Sequence, residues 1–427
     1  MKVLVIGGGG REHAVIRKLK ENPAIEKIWC APGNGGIADL AECVNLKATD
    51  VKGVAEFAVQ NAVDLVCVTP DDPLALGMVD ALEKTGIRAF GPEQKAAEIE
   101  SSKVFAKGLM KKYGIPTASY EVFRDPEAAL AYLHERNTYP AVLKADGLAL
   151  GKGVLIAENA AEAEAAVKEL MVEKAFGAAG NEIVIEEFLK GPEVSVLAFT
   201  DGKVIRPMVS SMDHKRAEDN DEGLNTGGMG TIAPSPFYTK EIADRCMKEI
   251  FLPTMYAMNA EGRTFRGVLY FGLMLTEDGP KVIEYNSRFG DPETQVVLPL
   301  LKSDLLGIML ACESGTLGDL EIEWSDQCAA CIMEASGGYP LSYQKGYLIH
   351  GLDEHGQHPG VTVYHSGTIR KEDGYYTNGG RVLGIEAEAP TLKEALKKAY
   401  AAVDEISFEA EHHRTDIGKK ALEGRYR

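Results

Sequence analysis

Apolar and polar positions alternate in a regular way over the first hundred residues. The strand-like run "KVLVI" passes through four glycines into the amphipathic stretch "REHAVIRKLKEN". The pattern then repeats: "KIWCA" reads as a strand, "VKGVAEFAVQNA" as a helix and "DLVCVTP" as a strand, and "LALGMVDALEKT" as a single helix before the strand "RAFGP". Short apolar strands separated by helix-period segments predict a doubly wound parallel sheet, which binds ligands at the carboxyl ends of its strands. The loops "GGGGREH", "APGNGG" and "TPDDP" fall at those ends.

The pattern then changes. A helix is expected around Ser102 to Lys112. A compact α+β unit follows, reaching about Leu189, with helices at "PEAALAYLHER" and "AAEAEAAVKELMVEK" and strands at "YPAVLKA", "GVLIAEN" and "EIVIEEFL". Beyond it come a hairpin ("EVSVLAFTDGKVIRPMV"), a long polar loop, a long helix from Lys240 and a second hairpin ("GVLYFGLMLTEDGPKVIEYNS"). From about Gln327 the chain is β-rich, closing with a helix at "TLKEALKKAYAAVDEI", where Thr391 and Glu394 have capping-box spacing. No repeat, heptad run or low-complexity segment is visible.

Composition narrows the function. The net charge of −18 argues against nucleic acid, which needs a basic footprint, but leaves room for a phosphorylated small molecule in a locally basic cleft. No apolar run approaches the ~18 residues of a membrane span, and the amino terminus lacks the features of a signal peptide. The seven cysteines are scattered. "CAAC", Cys328 to Cys331, lies in a strand pattern that sends its two sulfurs to opposite faces, so these are core thiols and the compartment is a reducing one, the cytoplasm. No His/Cys cluster suggests zinc, and there is no G-x-S-x-G elbow.

Five stretches carry chemistry. "IGGGGREHA" offers backbone N–H groups and a helix N-terminus to a phosphate, yet lacks the third glycine of a dinucleotide fingerprint, which favours a monophosphate over NAD. "AVLKADGLALGKGV" places Lys144 and Lys152 on a loop freed by Gly147, Gly151 and Gly153. Taken alone it is either a lysine-bearing hairpin or a flap over phosphates. "VIEEFLKGPEVSV" ends a strand with Glu186 and Glu187, suited to an adenine amino group or a ribose. "KVIEYNSRFGDPETQ" puts Glu284 and Asn286 two apart on one strand face, followed by Arg288. A carboxylate and an amide oxygen suit a hard cation on phosphates, and the arginine suits a transferring phosphoryl group. "SMDHKRAEDNDEGLNTGGMG" is either a disordered surface loop or, through Asn225, Thr226, Gly227 and Gly228, an N–H nest for an anion.

In this order and spacing, "KADGLALGKGV", "EEFLKGPEVSV", "DHKR…NTGGMG" and "RFGDPETQ" resemble the glycinamide ribonucleotide synthetase family of the ATP-grasp superfamily, over essentially the whole chain. The resemblance implies an α/β and α+β multidomain protein. It would have a Rossmann-like N-terminal domain (1–101), a central ATP-grasp domain (102–118 and 190–326), a mobile lid (119–189) and a small β-rich C-terminal domain (327–427). It implies ATP and Mg²⁺ or Mn²⁺ as cofactors, glycine and 5-phosphoribosylamine as substrates, no nucleic-acid or membrane partner, and a monomer. Lys103 and Lys144 would contact phosphate beneath a flap of Gly147, Gly151, Lys152 and Gly153. Glu186, Glu187, Leu189 and Glu193 would hold adenine and ribose, and Glu284 and Asn286 the metal. The implied catalytic set is Arg288, Lys215, Asp213 and Asp291, with one of the two aspartates holding the glycine ammonium. Gly8, Gly9, Gly10, Arg11, Gly33 and Asn34 would bind the ribosylamine phosphate.

Three positions depart from the family pattern. Gly272 stands where many ATP-grasp enzymes carry a further acidic metal ligand. Thr69 to Asp71 reads "TPD" for "GPE", and Asn220 to Leu224 replaces a Gly-Asp-x-Gly-Pro run. The rival readings are a nicotinamide-dependent oxidoreductase, a non-catalytic ATP sensor, and an ATP-grasp ligase for another amino acid or amine.

Overall fold

The computed structural model describes residues 1–148 and 153–424. The expected flap residues Gly151 and Lys152 lie outside the described residues. Strands β1 (Lys2–Gly7), β2 (Lys27–Pro32), β3 (Glu42–Cys43), β4 (Leu65–Val68) and β5 (Arg88–Phe90) form a parallel sheet in the order β3-β2-β1-β4-β5. The order reverses between β1 and β4, so the crevice that takes ligands in such sheets opens where Gly7 and Thr69 end those strands. Helix α1 (Gly10–Leu19) follows β1, and α2 (Val51–Gln60) begins at Asp50, whose carboxylate accepts from the Gly53 N–H. The segment expected as one helix after β4 is two, α3 (Asp71–Ala75) and α4 (Met78–Lys84). Gly77, at φ +80°, takes a left-handed conformation that an α-helix cannot continue through. Helices α5 (Gln94–Ser101) and α6 (Lys103–Tyr113) lead out of this unit.

A second, antiparallel sheet joins β6 (Tyr120–Phe123), β7 (Ala141–Ala145), β8 (Val154–Ala157) and β9 (Ile183–Glu187) in the order β6-β9-β7-β8. Helices α7 (Pro126–Arg136) and α8 (Ala160–Val167) cover it, packing Ala129, Leu133, Ala163 and Val167 on Leu143, Ile183 and Ile185.

The chain then forms β10 (Glu193–Thr200) and β11 (Ile205–Pro207), the short β12 (Met212–Asp213), the hairpin β13 (Arg216–Glu218) and β14 (Glu222–Asn225), and β15 (Gly230–Ala233). After helices α9 (Lys240–Cys246) and α10 (Leu252–Ala260) come β16 (Gly267–Thr276) and β17 (Gly279–Asn286), which complete an antiparallel sheet of order β11-β10-β16-β17. Helices α11 (Thr294–Val297) and α12 (Leu305–Ser314) precede the last part of the chain. There lie β18 (Cys328–Ser336), β19 (Thr362–His365), the hairpin β20 (Thr368–Lys371) and β21 (Gly374–Thr377), β22 (Arg381–Ala389), helix α13 (Leu392–Val403) and β23 (Glu411–His412). Thr391 caps α13, its hydroxyl accepting from the Glu394 N–H and donating to the Glu394 carboxylate.

Two findings go beyond the pattern of the sequence. The C-terminal sheet runs β12-β15-β18-β22-β19, so β12 and β15 leave the central segment to join it. Their apolar residues Met212 and Ile232 belong to the core made by Ile332, Ile385 and Leu396. The long polar loop is the β13–β14 hairpin, anchored by the C-terminal segment. Arg414 donates to the Arg216 carbonyl and pairs with Asp221 and Asp416, the Thr415 N–H donates to Asp219, and His412 Nε2 lies 2.7 Å from the Ala217 carbonyl. A single core runs from Val3 and Val5 through Leu197 and Phe289 to Cys331 and Met333, so the first sheet, the central sheet and the C-terminal sheet pack as one body.

Glu334, inside β18, is fully buried, and neither carboxylate oxygen has a hydrogen-bond partner among the described residues. Burial, and then the nearby Glu411 charge, push its carboxyl well above the usual range. The folded protein therefore keeps the proton where the unfolded chain loses it, above about pH 4.3. Stability falls as pH rises from there toward the folded pKa, by about 1.4 kcal/mol per pH unit. Glu334→Gln is expected to raise the unfolding temperature more at pH 8 than at pH 5, and thermal melts at the two values check it.

Candidate active site

A cleft of about 900 Å³ opens between the β6–β9 sheet and the central sheet, and residues of the first and C-terminal units also line it. Its floor is the end of β17. Pairing with β16 slips there: Gly272 faces Glu284 but Leu273 faces Val282, which leaves Ile283 as a bulge. The bulge keeps both Val282 and Tyr285 in the core and turns Glu284 and Asn286 together toward the cleft. It also frees the Ile283 carbonyl, which accepts from Lys144 Nζ at 3.2 Å.

Glu284 Oε1 lies 3.2 Å from Lys215 Nζ, and the same ammonium is 3.2 Å from Glu193 Oε1. Chiefly through Lys215, Glu284 is held down to about 2, against the cost of burial. The Asn286 amide fits its neighbours with nitrogen toward Glu100 Oε1 (2.9 Å) and the Tyr285 carbonyl (3.2 Å), which turns Oδ1 away from Glu100. Two oxygen donors on an open face fit a hard cation that completes its shell with phosphate and water. Among the described residues no group of three His, Cys, Asp or Glu could enclose a metal, so a closed site is not on offer. A Cβ at Gly272 would stand 3.0 Å from Glu284 Cγ, so an acidic side chain there would crowd Glu284.

Arg288 Nη2 pairs with Glu100 at 2.9 Å and with Asp71 at 3.9 Å, and its Nε has no partner among the described residues. Glu100 was not expected from the sequence, and neither was Lys107. The buried Glu186 carboxylate joins Lys144 (3.1 Å) to Lys107 (3.0 Å), and Lys107 also donates to Thr117. Desolvation lowers Lys107 to about 8. Glu187 accepts from the Ser119 N–H, and its own N–H donates to the Ser119 carbonyl. Leu189 lines the cleft, as do Glu186, Glu187 and Glu193. Lys103 donates to the Gly147 carbonyl at 2.8 Å. Gly147, at φ +144° and with Ala179 Cβ 2.9 Å from where its own Cβ would lie, is a position only glycine suits. The Gly153 carbonyl accepts from the Ala145 N–H and ties the flap's far end to β7.

The two aspartates differ in their surroundings. Burial would raise Asp291, but Arg381 and Arg11 hold it below the usual range. Gln295 donates to its Oδ1 at 2.7 Å and Arg381 lies 3.4 Å from its Oδ2. Asp213 accepts from the His214 N–H, and burial followed by the Glu293 charge pushes it well above the usual range. Glu293 is buried and receives the Tyr270 hydroxyl at 3.0 Å. Gly228 is wedged here, since a Cβ would meet Asp213 Oδ1 and Pro292 Cδ at 2.5 Å each. Arg381, from the C-terminal sheet, donates to the Gly227 and Asp291 carbonyls at 2.8 Å. Asn225, Thr226 and Gly227 line the cleft beside it. His214 is a core residue: its Nδ1 meets the Gly230 carbonyl and its Nε2 accepts from the Gly418 N–H.

The first-domain loops are placed differently from the rest. Arg11 lines the cleft, its guanidinium donating to Glu12 and to the Phe289 carbonyl. The glycines pack closely: a Cβ at Gly10 would run into Gln295 and Ser366, and the Gly9 N–H donates to Glu12. Gly33 donates to the Gly7 carbonyl, and Asn34 donates to the carbonyls of Gly8, His365 and Ser366. Gly10 and Asn34 thus meet the C-terminal unit at Ser366 and His365, Gly9 approaches Asp291, and Gly8 and Gly33 pack on each other. Of the residues sequence reasoning missed, Glu293 had a signal, being part of "RFGDPE". Glu100, Lys107 and Arg381 had none, because each acts across a long stretch of chain.

Comparison with known proteins supplies a family. Three models match in order: "Phosphoribosylglycinamide synthetase, N domain" over 1–100, its "ATP-grasp (A) domain" over 101–294 and its "C domain" over 329–420. The phosphoribosylamine–glycine ligase of Caldanaerobacter subterraneus subsp. tengcongensis is 49% identical over 98% of this chain and 99% of its own. That of Clostridium acetobutylicum is 46% identical over 98% and 100%. The crystal structure of the Thermotoga maritima phosphoribosylamine–glycine ligase superposes with a TM-score of 0.85 at 32% identity, covering 97% of this chain and 100% of that one. A Campylobacter jejuni biotin carboxylase shares the fold at a TM-score of 0.74 and 16% identity, covering 96% of this chain and 92% of that one.

Proposed function

The chain belongs to the phosphoribosylglycinamide synthetase family, and from that premise we propose that it joins glycine to 5-phosphoribosylamine, converting ATP to ADP and phosphate through a glycyl phosphate. The observation that carries this reading is the meeting, in one cleft, of the Glu284–Asn286 face, the Arg288 Nε that has no partner among the described residues, and the acid pair Asp213–Glu293. A carboxylate is a poor electrophile until a phosphoryl group gives it a leaving group.

Glu284 and Asn286 would hold Mg²⁺ or Mn²⁺, which supplies charge neutralisation on the phosphates when bound. Lys103, Lys144 and the Gly147–Gly153 flap, with Lys152, cover the nucleotide. Lys107 keeps Glu186 oriented for the adenine side, with Glu187 and Leu189. Arg288 is placed to stabilise charge on the transferring phosphoryl. Lys215 fixes Glu193 and Glu284 relative to each other. At Asp213, burial and the Glu293 charge outweigh Lys215 and Arg381, so this carboxyl gains most from the glycine ammonium, whereas Asp291 has Arg381 and Gln295 in contact. Asp291 therefore braces the site. Arg11 and the Asn225–Gly228 turn face the ribosylamine phosphate, and Gly8, Gly9, Gly10, Gly33 and Asn34 shape the wall behind Arg11. Among the described residues no helix is long and apolar enough to cross a membrane, and the cysteines are free, which fits a reducing compartment.

Glycine labelled with ¹⁸O in its carboxylate is expected to pass one label into inorganic phosphate per amide formed. Unlabelled phosphate in a reaction that still makes the amide would end the acyl-phosphate reading. Equal ADP release with alanine would favour a ligase for another amino acid.

A further inference from the structure

The carboxylate of Glu100 is the common partner of three consecutive residues on the wall of the cleft. Its Oε2 accepts from the backbone N–H and the hydroxyl of Ser287, each at 2.7 Å. Its Oε1 accepts from Arg288 Nη2 at 2.9 Å and from the Asn286 amide at 2.9 Å. Four donors on one buried carboxylate leave it fully engaged. Glu100 lies in the last turn of α5, and so comes from the connection between the first sheet and the central sheet, 187 residues from Ser287.

We propose that Glu100 is a positioning residue that sets the metal and phosphoryl ends of the site at once. An amide side chain can present either its oxygen or its nitrogen to a cation, and only the oxygen binds one. By taking the Asn286 nitrogen, Glu100 commits the oxygen to the cleft. By taking Arg288 Nη2, it fixes the guanidinium plane with Nε left for substrate. The Ser287 bonds pin the backbone between them, so the two side chains keep their spacing. Partners of this kind orient metal ligands from behind, and their loss typically weakens metal binding without altering the ligands themselves. The inference rests on Asn286 being a metal ligand.

The test is Mn²⁺ titration, followed by electron paramagnetic resonance, of the full-length protein saturated with ADP. ADP binding in EDTA and thermal unfolding are measured alongside. Glu100→Gln removes the charge that faces Arg288 and leaves an NH₂ against donors on one side, Ser287 or Asn286 and Arg288, and is expected to weaken Mn²⁺ binding about 10- to 100-fold, with metal-free ADP affinity unchanged. Mn²⁺ affinity of Glu100→Gln equal to that of the unchanged protein would overturn the proposal. If that variant does not fold, Glu100→Asp decides: it retracts the carboxylate by one methylene, and undiminished Mn²⁺ affinity there overturns the proposal equally. A Glu284→Gln control separates the two levels, because undiminished Mn²⁺ binding in that variant would instead remove the metal-site reading.

Discussion

Glu284→Gln is expected to lower turnover about 10²- to 10³-fold at saturating Mg²⁺, the size of effect seen when one preorganised charge is taken from a transferring group. Glutamine keeps the shape and one oxygen but loses the charge. In this site the charge matters twice. It faces the cleft beside Asn286, and it pairs with Lys215, which also pairs with Glu193. With Glu284 neutral, Lys215 swings its balance to Glu193 alone and the β17 face offers a cation only neutral donors. Because Lys215 holds Glu284 down to about 2, the loss should be the same across the neutral pH range. ADP release against Mg²⁺ concentration, with circular dichroism to establish folding, measures it. Turnover within tenfold of the unchanged protein would show that Glu284 does not serve the phosphoryl step.

For Asp213→Asn, the Michaelis constant for glycine should rise about 10- to 100-fold while that for ATP stays put, since a hydrogen bond to a charged group is worth roughly 1.5–3 kcal/mol. Asp213 is the less well compensated aspartate: burial and Glu293 outweigh Lys215 and Arg381, and the hydrogen bond it accepts comes from the His214 N–H. Asp291 is already matched by Arg381 and Gln295. Asp291→Asn should therefore loosen the Arg381 contacts to Gly227 and change both Michaelis constants moderately. Steady-state kinetics with glycine and ATP varied separately distinguishes the two. A larger glycine effect at Asp291 than at Asp213 would reverse the assignment.

Much of this was written in the sequence. Period and punctuation gave the parallel first sheet, because strands buried on both faces must be apolar throughout and their glycine turns must follow. "KVIEYNSRF" put Glu284 and Asn286 on one face, because residues two apart share a side of a strand. The flap glycines and the "RFGDPE" and "NTGGMG" runs marked the family. All of these are local signals, carried by residues close together in the chain.

The tertiary structure decided the rest. The bulge at Ile283 turns Glu284 and Asn286 to the cleft while Val282 and Tyr285 stay in the core, and it depends on register against β16, which no period within β17 records. Glu100 on Arg288, Arg381 on Gly227 and Asn34 on His365 are contacts between residues 188, 154 and 331 positions apart. The choice between Asp213 and Asp291 is of the same kind. The two residues are chemically identical, and only what folding brings makes one of them available for a substrate's charge: Arg381 and Gln295 contact Asp291, whereas at Asp213 burial and the Glu293 carboxylate outweigh Lys215 and Arg381.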